Sequence, residues 1–525
     1  MNTQNESPFG NPRFIISIIA VFLFLWGWQY YVNLKYPQPL VKSAPIKTLS
    51  AENSGLAAAA TDTLSAQKSP ALKVVENTEE KTFIYEDEKI KWTLSSIGMG
   101  LSSLELKNYL DHDHKTIKFG AEQKLFSVAA DGQTPAFNLT KVSETQFAGT
   151  AQLDGKTIKR TLSYNKESMS FENEIEFEHV PNSLIFSTSE AKHATGSSNF
   201  LMPSFSKQDF LFRDHEKIVT EPISSVKDSD VLNKSAASAS LASIGSQYFT
   251  QSYIDKSEIL PGVNMEVRGK TAKLDVIYNL KDAKISKVKN IIYIGPKTNE
   301  NLAKIDPILP EVMDLGIFGF ISKPLLLLMK FLHGIFGNWG VAIIALTIIM
   351  RLVMLPFNVV SFKSARAMQK IQPQLAAVRE KYKNDPMAVN RETMALMKSH
   401  NANPLSSCLP MLIQIPIFFA LWKTIGSSID IYQQPFFGWI TDLSSHDKFF
   451  VLPVLMGITM FFQQKLTPTT MDPMQAKILN FMPLLFSLFM ISLPSGLTLY
   501  NFVSALFGVG QQYFLLKGNT TKQLS

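Results

Sequence analysis

A single cysteine, Cys408, occurs in 525 residues, and it lies in an apolar run. The polar part of the chain therefore has no disulfide to staple it. Residues 81–300 must hold together by burying a core, which a region of that length can do. Acidic residues are missing in a more telling place. Six apolar runs, 14–32, 338–357, 405–426, 449–465, 478–493 and 496–516, contain neither Asp nor Glu. Each is close to the roughly 20 residues that cross a bilayer. Yet Arg351 stands well inside the second of them. A guanidinium stays charged, and holding it at a bilayer centre costs about 2.5–3.5 kcal/mol on the gentlest scale. With no carboxylate in any run, an ion pair inside the bundle is not the expected explanation. Arg351 must then meet water, a lipid phosphate or backbone carbonyls. Alternatively it snorkels toward the end of its own helix at Phe357, about 9 Å away at 1.5 Å per residue.

Catalytic and nucleotide-binding patterns are also absent. The stretch Gly262–Thr271 has glycines and a Gly-Lys pair but places six residues between them, where a phosphate loop needs four, and it sits among strands. Asp111-His112-Asp113-His114 places possible metal ligands on one turn with no distant partner to complete a shell, and it reads as a solvated turn. No nucleophile elbow, metalloprotease helix or Ser/Lys dyad occurs. No cofactor, no metal and no enzymatic activity are expected.

What is present is a polar first half and an apolar second half, with a net charge of +7. Residues 1–13 are polar and read as a cytoplasmic amino terminus. The run at 14–32 ends in Trp26, Trp28, Tyr30 and Tyr31, an interfacial belt rather than the small residues of a cleavage site, so an uncleaved anchor is expected. Residues 33–80 are rich in Pro, Ala, Ser and Thr and read as a linker. Residues 81–300 carry short alternating stretches such as Ser168–His179, with turn signals at Asp131-Gly132, Asp154-Gly155 and Pro261-Gly262. That pattern predicts an antiparallel β-sandwich. Residues 313–336 are apolar but keep Lys323, Lys330 and His333, as an amphipathic helix lying in the membrane interface would.

The stretch 361–403 holds Lys363, Arg366, Lys370, Arg379, Lys381, Lys383, Arg391 and Lys398 against Glu380, Asp385 and Glu392, a net of +5. Its helix formers break at Asn384-Asp385-Pro386, which predicts a helical hairpin, with a kink or boundary at Pro373. So basic a connection belongs in the cytoplasm. The next connection carries Asp430, Asp442 and Asp447 against Lys448 and suits the outside. Continuing by parity gives six transmembrane helices, both termini inside, with 517–525 as a short cytoplasmic tail and the β-domain in the periplasm.

Polar side chains recur in the last five runs. Thr347 is one turn before Arg351, Gln414 is mid-run, and Tyr500, Asn501 and Ser504 share one part of the last. Each alone is the usual interhelical glue. Together with an unpaired arginine they form candidate lining for a wet recess.

The stretches IALTIIMRLVMLP, NPLSSCLPMLIQIPIFFALW, LPVLMGITMFFQQKLTPTTMDPMQ and FMPLLFSLFMISLPSGLTLYNFVS resemble the core of the YidC membrane protein insertases, which have mitochondrial and chloroplast relatives. The likeness covers the core at 338–516. The anchor and β-domain resemble the Gram-negative form, whose periplasmic domain is a β-supersandwich. The resemblance implies a five-helix groove open to the cytoplasm and lipid but closed toward the periplasm. Arg351 would stand in it, Thr347 and Gln414 would help line it, and the hairpin would receive incoming chains. Implied partners are nascent membrane proteins, the Sec translocon, membrane lipids and the ribosome. Some relatives have a long basic tail that aids ribosome contact; here only Lys517 and Lys522 follow the last run, so contact would fall to the hairpin. Two rival readings remain: an anion pathway built on Arg351, and a scaffold whose β-domain is the binding module. No inverted repeat supports the first.

Overall fold

The computed structural model describes residues 73–74, 79–111, 114–120, 123–153, 155–192, 207–281, 283, 285–313, 318–400, 404–466 and 473–521. The anchor at 14–32, most of the linker, and His112 and Asp113 lie outside the described residues. The chain divides into a β-rich unit and a helical unit.

Among the described residues of the β-rich unit, the strands form sheets of nine, seven and four. The centre of the nine-stranded sheet runs Phe249–Asp255, Lys287–Pro296, Ser170–Phe177, Lys156–Asn165, Gln146–Leu153. These pairs are antiparallel where strand meets strand in sequence, as Leu153 opposite Lys156 and Ser170 opposite Asn165 show. Asp131 and Gly132 both take positive φ, 49° and 77°, between Ala130 and its partner Gln133. That is the two-residue primed hairpin the Asp-Gly pair favours. Pro261-Gly262 instead opens a strand, Gly262–Arg268. The Gly262–Thr271 stretch is a hairpin whose Arg268 lies opposite Thr271, a strand-turn-strand with no helix for a phosphate to meet. Lys73–Val74, inside the expected linker, pairs in parallel with Gln133–Thr134; two residues are too few to show a period in the sequence.

Trp92 of the four-stranded sheet, fully buried, packs against Phe147, Tyr164 and Phe171 of the nine-stranded sheet at centroid distances of 5.4, 5.8 and 5.4 Å. Edge-to-face rings of this kind add about 0.5–1.5 kcal/mol each beyond area burial. Phe186 of the seven-stranded sheet meets Tyr253 of the nine-stranded sheet at 5.1 Å. In Ser170–Phe177 the side chains of Phe171, Asn173, Ile175 and Phe177 turn inward while Glu172 and Glu176 face out. Asn173 breaks the apolar alternation because its Oδ1 accepts from the Nε of Arg160 at 2.7 Å. Arg160 is also buried, donates to the carbonyls of Gly98 and Phe126, and has no carboxylate partner among the described residues. Burial pushes its guanidinium down to about 9, still charged at neutral pH.

The helical unit contains α1 (Asn299–Ile305), α2 (Gly319–Phe336), α3 (Trp339–Lys381), α4 (Pro386–Ser399), α5 (Pro404–Ser427), α6 (Val451–Leu466), α7 (Pro473–Met490) and α8 (Ser495–Thr521). By length and composition, α2 and α3 are sufficient to cross a membrane, and α6 and part of α7 are shorter apolar helices. The exposed face of α2 carries Phe320, Leu327, Phe331 and Ile335 beside Lys323, and its other face buries Leu325, Met329 and Leu332. Lys330 ties it down, 3.0 Å from both Glu300 and Asp430. The Ser322 hydroxyl donates to the Ala420 carbonyl of α5 at 3.1 Å.

α3 has 43 residues. At 1.5 Å each it is about 65 Å long, twice a hydrocarbon core of about 30 Å. It runs as one helix through Pro356 and Pro373, so of the kink or boundary expected at Pro373 the boundary does not occur. Its final turns pack against α4 through Met368, Ile371 and Leu375, with Leu396 and Met397 against them. The Asn384-Asp385-Pro386 break is a helix start. The Asp385 carboxylate accepts from the backbone N–H of Met387 and Ala388, each at 3.0 Å, and Pro386 occupies the first turn, where its missing N–H is no loss.

Candidate functional site

Among the described residues, the main apolar core of the helical unit lies at one end of the bundle. It gathers the start of α3 (Trp339, Ala342, Ile343, Leu346), the end of α5 (Ile417, Leu421, Ile425), the start of α6 (Leu452, Met456), the end of α7 (Met490) and the start of α8 (Leu497, Tyr500). Beyond those turns the same helices expose large apolar side chains. Examples are Leu352 and Val353 on α3, Ile458 and Phe462 on α6, Phe481 and Leu484 on α7, and Leu506 and Phe514 on α8. A water-soluble bundle would not show so much apolar surface. Among the described residues, the bundle is closed at one end, and much of its other half is apolar and unburied.

Arg351 sits at the changeover. Leu346 and Thr347 are fully buried, while Leu352 is exposed. The Arg351 Nε donates to the Ser504 hydroxyl of α8 at 2.7 Å, and Nη2 reaches the same oxygen. No carboxylate pairs with Arg351 among the described residues, so its direct partner is a neutral hydroxyl. The other donors of the guanidinium fork have no protein partner among the described residues. One turn before Ser504, the buried Tyr500 oxygen accepts from the Gln414 amide of α5 at 2.8 Å. Two polar pairs thus meet on α8 one turn apart, Arg351 of α3 with Ser504 and Gln414 of α5 with Tyr500.

The other candidates do different work. The Thr347 hydroxyl donates to the Ile343 carbonyl of its own helix at 2.6 Å and is sealed from solvent. The Asn501 amide donates to the Leu497 carbonyl at 2.9 Å and approaches the Met490 sulfur at 3.8 Å. Ser504, the direct partner of the arginine, carried no stronger mark in the sequence than its place one turn after Tyr500. The basic residues Lys363, Lys370, Arg379, Lys381 and Lys383 are exposed along the end of α3 and the turn into α4, and Arg366 is half-buried.

Helices approach closely at glycines around this site. A Cβ on Gly508 would lie 2.6 Å from the Gln463 amide, and one on Gly457 would lie 2.9 Å from the Ser487 hydroxyl. These contacts bring α6 against α8 and α7 without intervening side chains.

Two family models cover most of the chain. The 60Kd inner membrane protein model matches residues 331–523, and the YidC periplasmic domain model matches residues 86–328. The membrane protein insertase YidC of Campylobacter jejuni is 31% identical over 535 residues, covering 98% of both chains. That of Citrifermentans bemidjiense is 46% identical over 232 residues, a stretch that spans 44% of this chain and 43% of the relative. A solved structure described as an active YidC insertase with the first transmembrane domain resolved has 19% identity and a TM-score of 0.38, over 83% of this chain and 93% of that one. The periplasmic-domain match takes in the β-rich unit from residue 86 and runs on into α2, the inner-membrane match takes in the helices that follow, and the chain belongs to the YidC membrane protein insertase family.

Proposed function

We propose that this protein inserts newly made proteins into the bacterial inner membrane and helps them fold there. The observation that carries the reading is Arg351: a permanent cation beside a neutral hydroxyl, at the border between the closed and unburied halves of an apolar bundle. In this reading five helices, α3 and α5 to α8, cross the bilayer together with the anchor at 14–32. The closed end faces the periplasm, as does the β-domain, and both termini and the α3–α4 hairpin face the cytoplasm. The recess around Arg351, Gln414 and Tyr500 takes up the short polar flank of an incoming segment, with Asn501 and Thr347 supporting the helices around it.

The physics favours such a device. A polar flank crossing hydrocarbon meets a barrier that falls when part of the path is wet. Arg351 attracts an acidic flank, and the following apolar segment then slides along the exposed helix faces into lipid. The gain is several tenths of a kcal/mol for each strongly apolar residue buried. The membrane potential adds about 2.3 kcal/mol per charge per 100 mV. Neither step needs a nucleotide. The basic hairpin meets the ribosome or anionic lipid headgroups, and larger clients are shared with the Sec translocon.

Stalled nascent chains carrying a photocrosslinker test this. Crosslinks to Gln414, Tyr500 and Ser504 are expected, together with client proteins left uninserted when the protein is depleted. Normal client insertion after depletion, accompanied by a solute-transport defect, would move the assignment to an anion pathway.

A further inference from the structure

The loop of residues 427–450, which joins α5 to α6 at the closed end of the bundle, distributes its side chains in an unusual way. It has three carboxylates, and the protein itself engages all of them. Asp430 pairs with Lys330 at 3.0 Å. Asp442 accepts from the Ser444 backbone at 2.8 Å and hydroxyl at 2.6 Å. Asp447, only 3% exposed, accepts from the backbone N–H of Phe449 at 3.1 Å and of Leu452 at 2.7 Å, which caps α6.

Meanwhile the loop shows its aromatics. Phe437 is 78% exposed and Phe449 68%, with Trp439 and Phe450 also exposed. A loop made for water would place these groups the other way round.

The display is held rigidly. Phe437-Gly438-Trp439 forms a tight turn with Gly438 at φ +62°. Backbone bonds from Phe436 to Ile440 at 3.0 Å and from Leu443 to Gln434 at 2.9 Å close it. Ile440 and Leu443 root the turn in the apolar core. Phe450 takes φ +58°, a left-handed conformation that a bulky side chain adopts only under constraint. The constraint is its N–H bonding to the Asp447 carbonyl at 3.1 Å, and the result is a ring turned outward. The exposed apolar surface then continues along α6 through Val454, Leu455, Ile458 and Phe462. Lys448 is the exposed charged side chain of the loop, apart from the exposed imidazole of His446.

We propose that this loop is an aromatic wedge that seats Phe437, Trp439, Phe449 and Phe450 in the lipid leaflet at the closed end of the bundle, with Lys448 at the phosphates. The occupant is lipid because the aromatic patch is continuous with the apolar faces of helices that the reading above places in the bilayer, on which this inference rests. Trp439, with its one polar edge, favours that boundary, the three phenylalanines lie on its apolar side, and a lysine stem reaches from it to a headgroup. The wedge fixes the depth of the bundle and perturbs the leaflet next to the closed end, where the path to be crossed is driest.

Spin labels give the test. In a Cys408→Ser background, Phe437→Cys and Phe449→Cys are labelled with a nitroxide. The full-length protein is placed one copy per nanodisc of phosphatidylethanolamine and phosphatidylglycerol. Phe462→Cys on α6 and Glu216→Cys on an exposed hairpin serve as lipid and water controls. Collisions with oxygen should dominate those with an aqueous nickel chelate at both loop positions, at a depth of about 5–10 Å below the phosphates. Nickel-dominated labels in the loop with an oxygen-dominated Phe462 label would overturn the wedge and leave the bilayer reading intact. Labels shielded from both reagents would mean a protein partner and overturn it equally. A nickel-dominated Phe462 label would reject the bilayer reading itself.

Discussion

Replacing Arg351 with Ala should sort client proteins by the charge of the flank they carry across. The cation has no carboxylate among the described residues and leans on the neutral Ser504 hydroxyl, so its field is not cancelled locally. A client carboxylate about 8 Å away, through an effective dielectric of about 20, is attracted by about 2 kcal/mol. Arg351 is half-buried, so solvent at its exposed side screens the pair. Halving the figure for that screening leaves about 1 kcal/mol. Insertion of a client with an acidic flank should therefore fall between about fivefold and thirtyfold, at about 1.4 kcal/mol per factor of ten. A matched client with Asn in place of Asp should insert as well as before. Arg351→Lys should restore most of the discrimination, since charge rather than the fork carries it. The assay is protease protection of paired clients in proteoliposomes. Raising salt from about 0.1 to 1 M shortens the screening length from about 10 to 3 Å and should weaken the preference in the unmodified protein. An equal loss for acidic and neutral flanks would refute the reasoning.

Three further outcomes follow from the packing. A Cβ on Gly340 would run into the Phe436 ring, so Gly340→Ala must displace the ring; overpacking of about 1–3 kcal/mol should show as a lower Tm in detergent. Asp385→Ala removes two backbone bonds from the start of α4 and should cost about 1 kcal/mol, seen as faster amide exchange at Met387 and Ala388. Asn173→Leu removes the acceptor of Arg160 Nε and should destabilise the β-rich unit by about 1.5–3 kcal/mol, measured by urea unfolding. That deficit has a pH signature. Burial lowers the folded pKa of Arg160 to about 9, below its unfolded value, so the penalty on the charged native form is complete below pH 9 and fades as pH rises above it. A deficit that stays constant above pH 9 would mean Arg160 keeps its proton there.

The helices were legible where one physical demand acts alone. An uninterrupted apolar run has few choices in a membrane, and Asp385-Pro386 is a start signal that needs no neighbours. The Asp131-Gly132 turn was legible for the same reason, because its positive φ values suit those two residues. The β-sheet order was not, since Lys156–Asn165 pairs with a neighbour in sequence and Ser170–Phe177 pairs also with Lys287–Pro296, more than a hundred residues away. Local alternation says which side is buried but not against what. At Pro373 the residues left two outcomes open, a kink or a boundary, and the helix has no boundary there. Around Pro373 the turns are packed through Ile371 and Leu375, and losing one backbone bond there does not end the helix.

By itself the sequence determined that acidic side chains are absent from six apolar runs, that one of those runs carries an arginine, and that a basic stretch follows it; those facts depend only on which residues are present. The tertiary structure decided the rest of the site. It chose Ser504 as the arginine's neighbour, joined Gln414 to Tyr500, turned the Thr347 hydroxyl back onto its own helix, and tucked in three loop carboxylates while displaying four aromatic rings. The reason is that a hydroxyl, an amide or a ring takes its role from what stands within a few ångströms of it, and that distance is set by how helices far apart in the chain come to lie against one another.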